Sequence, residues 1–169
     1  RDGGCLCGKI RYRIDGPVRW AGHCHCRLCQ RAYGAPMVTW IVVDAADFAF
    51  AAGSPHHYRS SEKGERTFCA DCGTPLTFRH DDRADFVDIT VASLDDPVTR
   101  YAPALKGGAY DGASIRNVLN MASGVVFDED YFDKGSDINR MGRIVALGGT
   151  LDDFTAGFRA TFAAPGEVW

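Results

Sequence analysis

Gly4-Cys5-Leu6-Cys7-Gly8-Lys9-Ile10-Arg11-Tyr12-Arg13-Ile14 joins a thiol pair directly to a strand-like run, and that junction sets the fold class. In the run, Ile10, Tyr12 and Ile14 alternate with Lys9, Arg11 and Arg13, the period of a strand with one buried face. Gly16-Pro17 then turns the chain. Further on, residues 37–43 read Met-Val-Thr-Trp-Ile-Val-Val, a β-branched and aromatic segment expected to be a strand buried on both faces. Shorter strands are expected at 57–59, 66–68, 76–79 and 86–91, separated by Gly, Pro, Ser and Asp clusters. The first 94 residues therefore read as all-β.

Beyond Leu94 the pattern changes. Asp111-Gly112 precedes Ile115, Val118, Leu119 and Ala122 at helical spacing, which predicts a helix over 113–122 ending near Gly124. A second helix is expected over 151–162, capped by Thr150 with Asp153 three residues on, and with Leu151, Phe154, Phe158 and Phe162 on one face. Residues 128–143 read as polar and turn-rich. Asp95-Asp96-Pro97 marks a composition boundary, dividing a β domain at 1–96 from a helical and irregular tail at 97–169. No internal repeat or low-complexity tract is visible.

A chain of 169 residues with 46% hydrophobic and 11% aromatic side chains is long enough for one well-buried core or two small ones. Nineteen Lys and Arg against 22 Asp and Glu leave a net charge of −3, with no basic excess to neutralise phosphates, so no nucleic-acid partner is expected. The apolar run at 37–43 is far shorter than the roughly 20 residues that cross a bilayer, so no membrane span is expected. The opening Arg1-Asp2-Gly3-Gly4-Cys5 has no apolar signal region, which makes the cytoplasm the expected compartment.

Seven cysteines fall in three clusters: Cys5/Cys7, Cys24/Cys26/Cys29 and Cys69/Cys72. In a reducing compartment such clusters read as metal ligands or redox groups. Zinc gains from thiolate ligands, and a closed structural site takes four of them, which the pairs Cys5/Cys7 and Cys69/Cys72 can supply if the fold brings them together. A disulfide or free buried thiols are the alternatives. Cys69/Cys72 could also be a redox pair, but Gly73-Thr74-Pro75 points to a turn where that motif needs a helix. Cys24, Cys26 and Cys29 supply three ligands, the number of a catalytic zinc site with an open fourth position. A tight loop would present all three sulfurs inward, with His23, His25 and Arg27 pointing elsewhere. A second structural metal with His or water as fourth ligand uses the same three residues and stays open as a reading.

Gly3-Gly4-Cys5-Leu6-Cys7-Gly8, Arg11-Tyr12, Cys24-His25-Cys26-Arg27-Leu28-Cys29-Gln30-Arg31, Gly34-Ala35 and Phe68-Cys69-Ala70-Asp71-Cys72-Gly73 together resemble the glutathione-dependent formaldehyde-activating enzyme and centromere protein V family, over residues 3–96. The resemblance implies a mainly β fold, a β-tent of small antiparallel sheets organised around zinc, followed here by the α-helical and irregular C-terminal segment. It implies a structural zinc on Cys5, Cys7, Cys69 and Cys72 and a second, labile, catalytic zinc on Cys24, Cys26 and Cys29. The implied activity is that of a carbon–sulfur lyase, reversibly adding glutathione to formaldehyde. An open three-thiolate zinc can hold an incoming thiol as thiolate or polarise an aldehyde, although three thiolates weaken the ion as a Lewis acid. Trp40, Tyr33, Arg31 and Arg27 are expected cleft residues, with Arg27 and Arg31 as partners for the carboxylates of a glutathione-like thiol.

The second half is similar to a different family. Residues 95–105, Tyr110-Asp111-Gly112-Ala113, Val118-Leu119-Asn120-Met121 and Ala164-Pro165-Gly166-Glu167-Val168-Trp169 resemble a penicillin-recognising serine hydrolase of the β-lactamase and 6-aminohexanoate-oligomer hydrolase kind. That family's nucleophile lies in Ser-x-x-Lys at a helix start upstream of this stretch. Ser60-Ser61-Glu62-Lys63 matches the string, and Tyr58-Arg59-Ser60 its companion motif, yet the two overlap in a strand-and-turn region. The tail is thus expected to contribute packing surface and no serine site. The readings carried forward are a zinc-dependent lyase, a non-catalytic zinc-stabilised binding module with an open apolar face at Ile115, Val118 and Leu119, and, as the remotest, a serine hydrolase. The tail helices offer a route to a homo-oligomer.

Overall fold

Alternating side chains sort the N-terminal strands of the computed structural model, which describes residues 1–167, into two antiparallel sheets. In chain order the elements are β1 (Asp2–Gly4), β2 (Arg11–Ile14), β3 (Trp20–Cys24), α1 (Arg27–Tyr33), β4 (Val38–Asp44), β5 (Phe48–Ala52), β6 (His56–Arg59), β7 (Gly64–Phe68), β8 (Pro75–His80) and β9 (Phe86–Thr90). One sheet runs β1-β2-β5 and the other β3-β4-β9-β8-β7-β6. The main core joins Tyr12 and Ile14 of β2 and Phe48 of β5 to Ile41 and Val43 of β4, Leu76 of β8, and Val87 and Ile89 of β9. Each such side chain contributes about 1.5–3 kcal/mol on burial. The Tyr12 hydroxyl ends this core in a 2.7 Å hydrogen bond to Ser93 Oγ.

Strand β4 is buried on both faces because its two side-chain rows enter different clusters. Ile41 and Val43 join the main core, while Val38 and Trp40 pack with Cys29, Cys24, Tyr33 and Phe78 on the opposite face. The Trp40 ring meets Tyr33 edge-on at 5.3 Å. Strand β2 begins at Arg11, not Lys9, because the residues before it form a turn in which the Cys5 N–H donates to the Ile10 carbonyl at 3.0 Å.

The chain divides into two units, Arg1–Asp96 and Pro97–Trp169. The second contains α2 (Ile115–Leu119), α3 (Asp137–Ala146) and α4 (Leu151–Ala156), with a small core of Val98, Leu105 and Ala113 against which Ile115 and Val118 of α2 and Ala156 of α4 pack. The helix expected over 113–122 is confined to α2, which opens on a capping box between Ser114 and Asn117 and closes at Asn120, before Met121 at φ 58°. Ile115 and Val118 pack on the small core, so only Leu119 of the expected apolar face is exposed. The helix expected over 151–162 stops at Ala156. Gly157 ends it, Phe158 folds back to 5.1 Å from Phe154, and Phe162 is exposed, so the four apolar residues do not share a face. Residues 128–143, expected as turns, include most of α3, in which Ile138, Met141, Ile144 and Val145 recur at helical spacing behind Asp137 in the first turn. Among the described residues no helix is long and apolar enough to cross a membrane.

Candidate functional site

Two tight turns present the first thiol group. After β1, the Gly8 N–H donates to the Cys5 carbonyl at 3.1 Å, with Gly8 at φ 78°; after β7, the Gly73 N–H donates to the Cys69 carbonyl at 2.9 Å, with Gly73 at φ 72°. Both turns need a glycine at the left-handed position. The Leu6 N–H reaches the Thr74 hydroxyl at 3.0 Å and ties one turn to the other. The four sulfurs of Cys5, Cys7, Cys69 and Cys72 all lie within 4.8 Å of one another, with Cys5 to Cys7 at 3.5 Å and Cys7 to Cys69 at 3.8 Å. Zinc–sulfur bonds of about 2.3 Å in a tetrahedron place sulfurs about 3.8 Å apart, so this donor set fits such an ion. Cys5 and Cys69, at 0% and 1% exposure, belong to the main core. Burial pushes the Cys72 thiol up, but the Thr74 hydroxyl and the N–H groups of Cys7 and Thr74 outweigh it and bring it down to about 6.

The second group is built on a strand end and a helix start, not on the single loop expected from its spacing. Cys24 closes β3, Cys26 caps α1, and Cys29 lies one turn into that helix. The Cys29 N–H donates to Cys26 Sγ at 3.4 Å and lowers that thiol below its ordinary value. Burial pushes Cys29 up to about 11, against the opposing pull of the Arg66 guanidinium. The three sulfurs lie within 4.8 Å of one another, and their exposure runs from buried Cys29 through half-buried Cys24 to exposed Cys26. All seven cysteines are free thiols.

A cavity of about 610 Å³ opens against this second group and takes Cys24, Cys26 and Cys29 into its lining. The pairing of the larger sheet explains its wall. Arg66 of β7 lies opposite Phe78 of β8, Phe78 opposite Asp88 of β9, Asp88 opposite Val42 of β4, and Val42 opposite Trp20 of β3. Directly opposed residues point to the same face, so one row across five strands lines the cavity. Leu28, Trp40 and Phe86 add apolar surface. The two rim arginines are already paired, Arg19 with Asp44 and Arg83 with Asp88 at 2.9 Å. A volume of this size suits a small organic molecule.

Arg27 and Arg31 are exposed on α1 and are not among the cavity-lining residues, although Leu28 between them is. Tyr33 packs behind the wall against Trp40. Ser60 and Ser61 line the cavity from the β6–β7 turn. Ser60 Oγ donates to the Gly64 carbonyl at 3.3 Å and accepts from Arg66, and Lys63 is paired with Asp82 at 2.9 Å. Arg66 is the functional candidate that sequence reasoning missed. Its signal was a cation at a strand position opposite an aromatic, Phe78.

The chain is similar over 56% of its length to a crystal structure of a Rhodobacter sphaeroides protein, 88% of which is covered, at 20% identity and a TM-score of 0.49. A 42-residue stretch is 45% identical to 6-aminohexanoate-dimer hydrolase of Paenarthrobacter ureafaciens, covering 25% of this chain and 11% of that protein. This chain thus spans about a tenth of the length of that curated relative. A β-lactamase family model matches residues 84–167, a range that contains no Ser-x-x-Lys string. The model of the glutathione-dependent formaldehyde-activating enzyme family matches residues 1–107, which include both thiol groups and the whole cavity wall, and the chain belongs to that family.

Proposed function

We propose that residues 1–96 form a zinc-dependent carbon–sulfur lyase of the formaldehyde-activating type, which reversibly joins a glutathione-like thiol and an aldehyde beside Cys24, Cys26 and Cys29. Cys5, Cys7, Cys69 and Cys72 hold a structural zinc in this reading. The observation that carries it is the asymmetry between the groups: the three-thiol set lines the cavity of about 610 Å³, and none of the four-thiol set belongs to its lining. Three protein ligands beside an open space is the arrangement of a catalytic zinc, and four ligands that of a structural one. Zinc at the second group supplies a lowered pKa for an incoming thiol and polarisation of an aldehyde oxygen.

The chain's own residues do the rest. Trp20, Trp40, Val42, Phe78 and Phe86 form an apolar wall that limits water on that side of the reacting atoms and strengthens electrostatic effects there. The substrate thiol gives its proton to solvent, its sulfur attacks the carbonyl carbon, the C–S bond forms as the C=O π pair moves to oxygen, and a proton from solvent returns to that oxygen; the reverse steps release thiol and aldehyde. In this reading Arg27 and Arg31, both exposed on α1 outside the cavity lining, pair with the carboxylates of a peptide thiol that extends beyond the cavity. Seven free thiols suit a reducing compartment such as the cytoplasm.

Elemental analysis and rate measurement test this together. We expect two zincs per chain, one in Cys26→Ser with the fold retained, and formation of S-hydroxymethylglutathione above the uncatalysed rate in the parent only. Two zincs in the variant, or a parent rate equal to background, would overturn it.

A further inference from the structure

A buried guanidinium needs an anion, and the sulfur of Cys29 is the hydrogen-bond partner of Arg66 that can become one. Arg66 is 6% exposed and lines the cavity. Its Nε donates to Ser60 Oγ at 3.1 Å and its Nη2 to Cys29 Sγ at 3.4 Å. Its Cζ lies over two rings, 5.4 Å from the centre of Tyr33 and 4.8 Å from that of Phe78. No carboxylate among the described residues hydrogen-bonds it: Asp88, two strands away, feels its charge but gives Oδ2 to Arg83, while Asp88 Oδ1 and Arg66 Nη1 have no hydrogen-bond partner. An uncompensated buried cation is strongly destabilising. As a metal ligand Cys29 would be a thiolate and offset that penalty, and a charged hydrogen bond to it is roughly twice as strong as a neutral one.

We propose that Arg66 is a positioning residue for the three-thiol centre: by donating to the Cys29 sulfur it draws electron density from that ligand and offsets the negative charge of the cluster, keeping an ion held there an effective Lewis acid. Three thiolates around a divalent cation carry one net negative charge, which blunts the polarisation of an aldehyde. The single positive charge of Arg66 cancels it. The sheet sets this contact, because β7 holds Arg66 opposite Phe78 and the guanidinium lies over the two rings. The inference rests on the reading of Cys24, Cys26 and Cys29 as a metal centre, and its test does not need turnover.

The experiment uses the full-length chain with Co(II) loaded into the second centre after a mild chelator has emptied it. Arg66→Met and Arg66→Gln remove the charge, and Arg66→Lys retains it. The sulfur-to-cobalt charge-transfer band should move to longer wavelength in both neutral variants, and Lys should restore most of its position. In the zinc enzyme, kcat should fall on the order of 10- to 100-fold in the neutral variants, the usual loss when a partner of a metal ligand is removed. KM for the thiol should change little. An unshifted band in a neutral variant with parental circular dichroism would overturn the proposal while leaving the lyase reading intact. Should Arg66→Met fail to fold, Arg66→Gln, which keeps a planar stacking group, supplies the same comparison. A shifted band in an inactive parent would support Arg66 and overturn the lyase. Absence of any thiolate–cobalt band, with zinc still held by the four-thiol group, would overturn both.

Discussion

Replacing Cys69 by serine should unfold the N-terminal unit, whereas replacing Cys26 by serine should leave it folded. A domain the size of Arg1–Asp96 has a net stability of about 5–14 kcal/mol, at roughly 0.05–0.15 kcal/mol per residue. A structural zinc on thiolates contributes about 10–16 kcal/mol of apparent binding free energy, which matches or exceeds that total. Cys69 and Cys5 sit inside the main core, so losing the ion there also leaves thiols facing Leu76 and Ile10, with the Leu6–Thr74 hydrogen bond and the exposed Lys9–Asp71 pair as weak remaining ties between the two turns. Cys26 differs in every respect that matters. It is exposed, and its one structural duty is to cap α1 by accepting the Cys29 N–H. Serine is a preferred cap, a position worth about 0.5–2 kcal/mol, so the helix start survives the change. Circular dichroism melts paired with zinc analysis of both variants provide the assay. A Cys69→Ser protein that melts with the parent, or a Cys26→Ser protein that has lost all its zinc and its fold, would show that the two groups do not divide the work in this way.

Three further outcomes are expected. Tyr12→Phe removes the 2.7 Å bond to the fully buried Ser93 and should lower stability by about 1–2 kcal/mol in urea titrations; an unchanged midpoint would mean that the bond contributes nothing. Burial raises the Asp88 carboxyl above its ordinary value, with Arg83 pulling the other way. The folded state then binds more protons than the unfolded one between the ordinary value and the raised one, so the contribution of Asp88 falls as pH rises through that window. The stability of the parent relative to Asp88→Asn should therefore decline across it, and a difference that grows with pH would contradict the assignment. In Gly22→Ala the new Cβ meets the ring of the exposed Trp20, the free end of a side chain, so the indole should swing away from the cavity at little cost to the fold. Tryptophan emission should change while the melt does not; identical spectra would count against Trp20 as a wall of the site.

The β framework was legible wherever a strand carries its own periodicity. Residues 37–43 are bulky throughout and became β4, buried on both faces. Strand β3 was not legible, because Trp-Ala-Gly-His-Cys keeps small residues at positions where the Trp20 ring lies over Gly22 and Cys24 serves the thiol group. Helix α1 was hidden for a related reason: its cap is the Cys26 thiol, outside the usual Ser, Thr, Asp and Asn set, in a stretch whose cysteines suggested a loop. In the second unit, α3 was masked by the acidic run before it, and α4 was overextended because the phenylalanine spacing persists past Gly157, where the backbone turns. The grouping of the thiols could be anticipated from spacing and family likeness. The cavity wall could not, since it is a row assembled from five strands and depends on register alone.

Strand β7 has five residues, Gly64–Phe68; Arg66 sits in its middle and Cys69 follows its last position. The distance along the chain from the guanidinium beside one thiol group to a ligand of the other is therefore a single stiff span of three residues. Stripping the four-thiol cage would release the end of that span and let the arginine drift. The coupling is reciprocal, so filling the three-thiol group should in turn tighten the hold of the cage on its own ion.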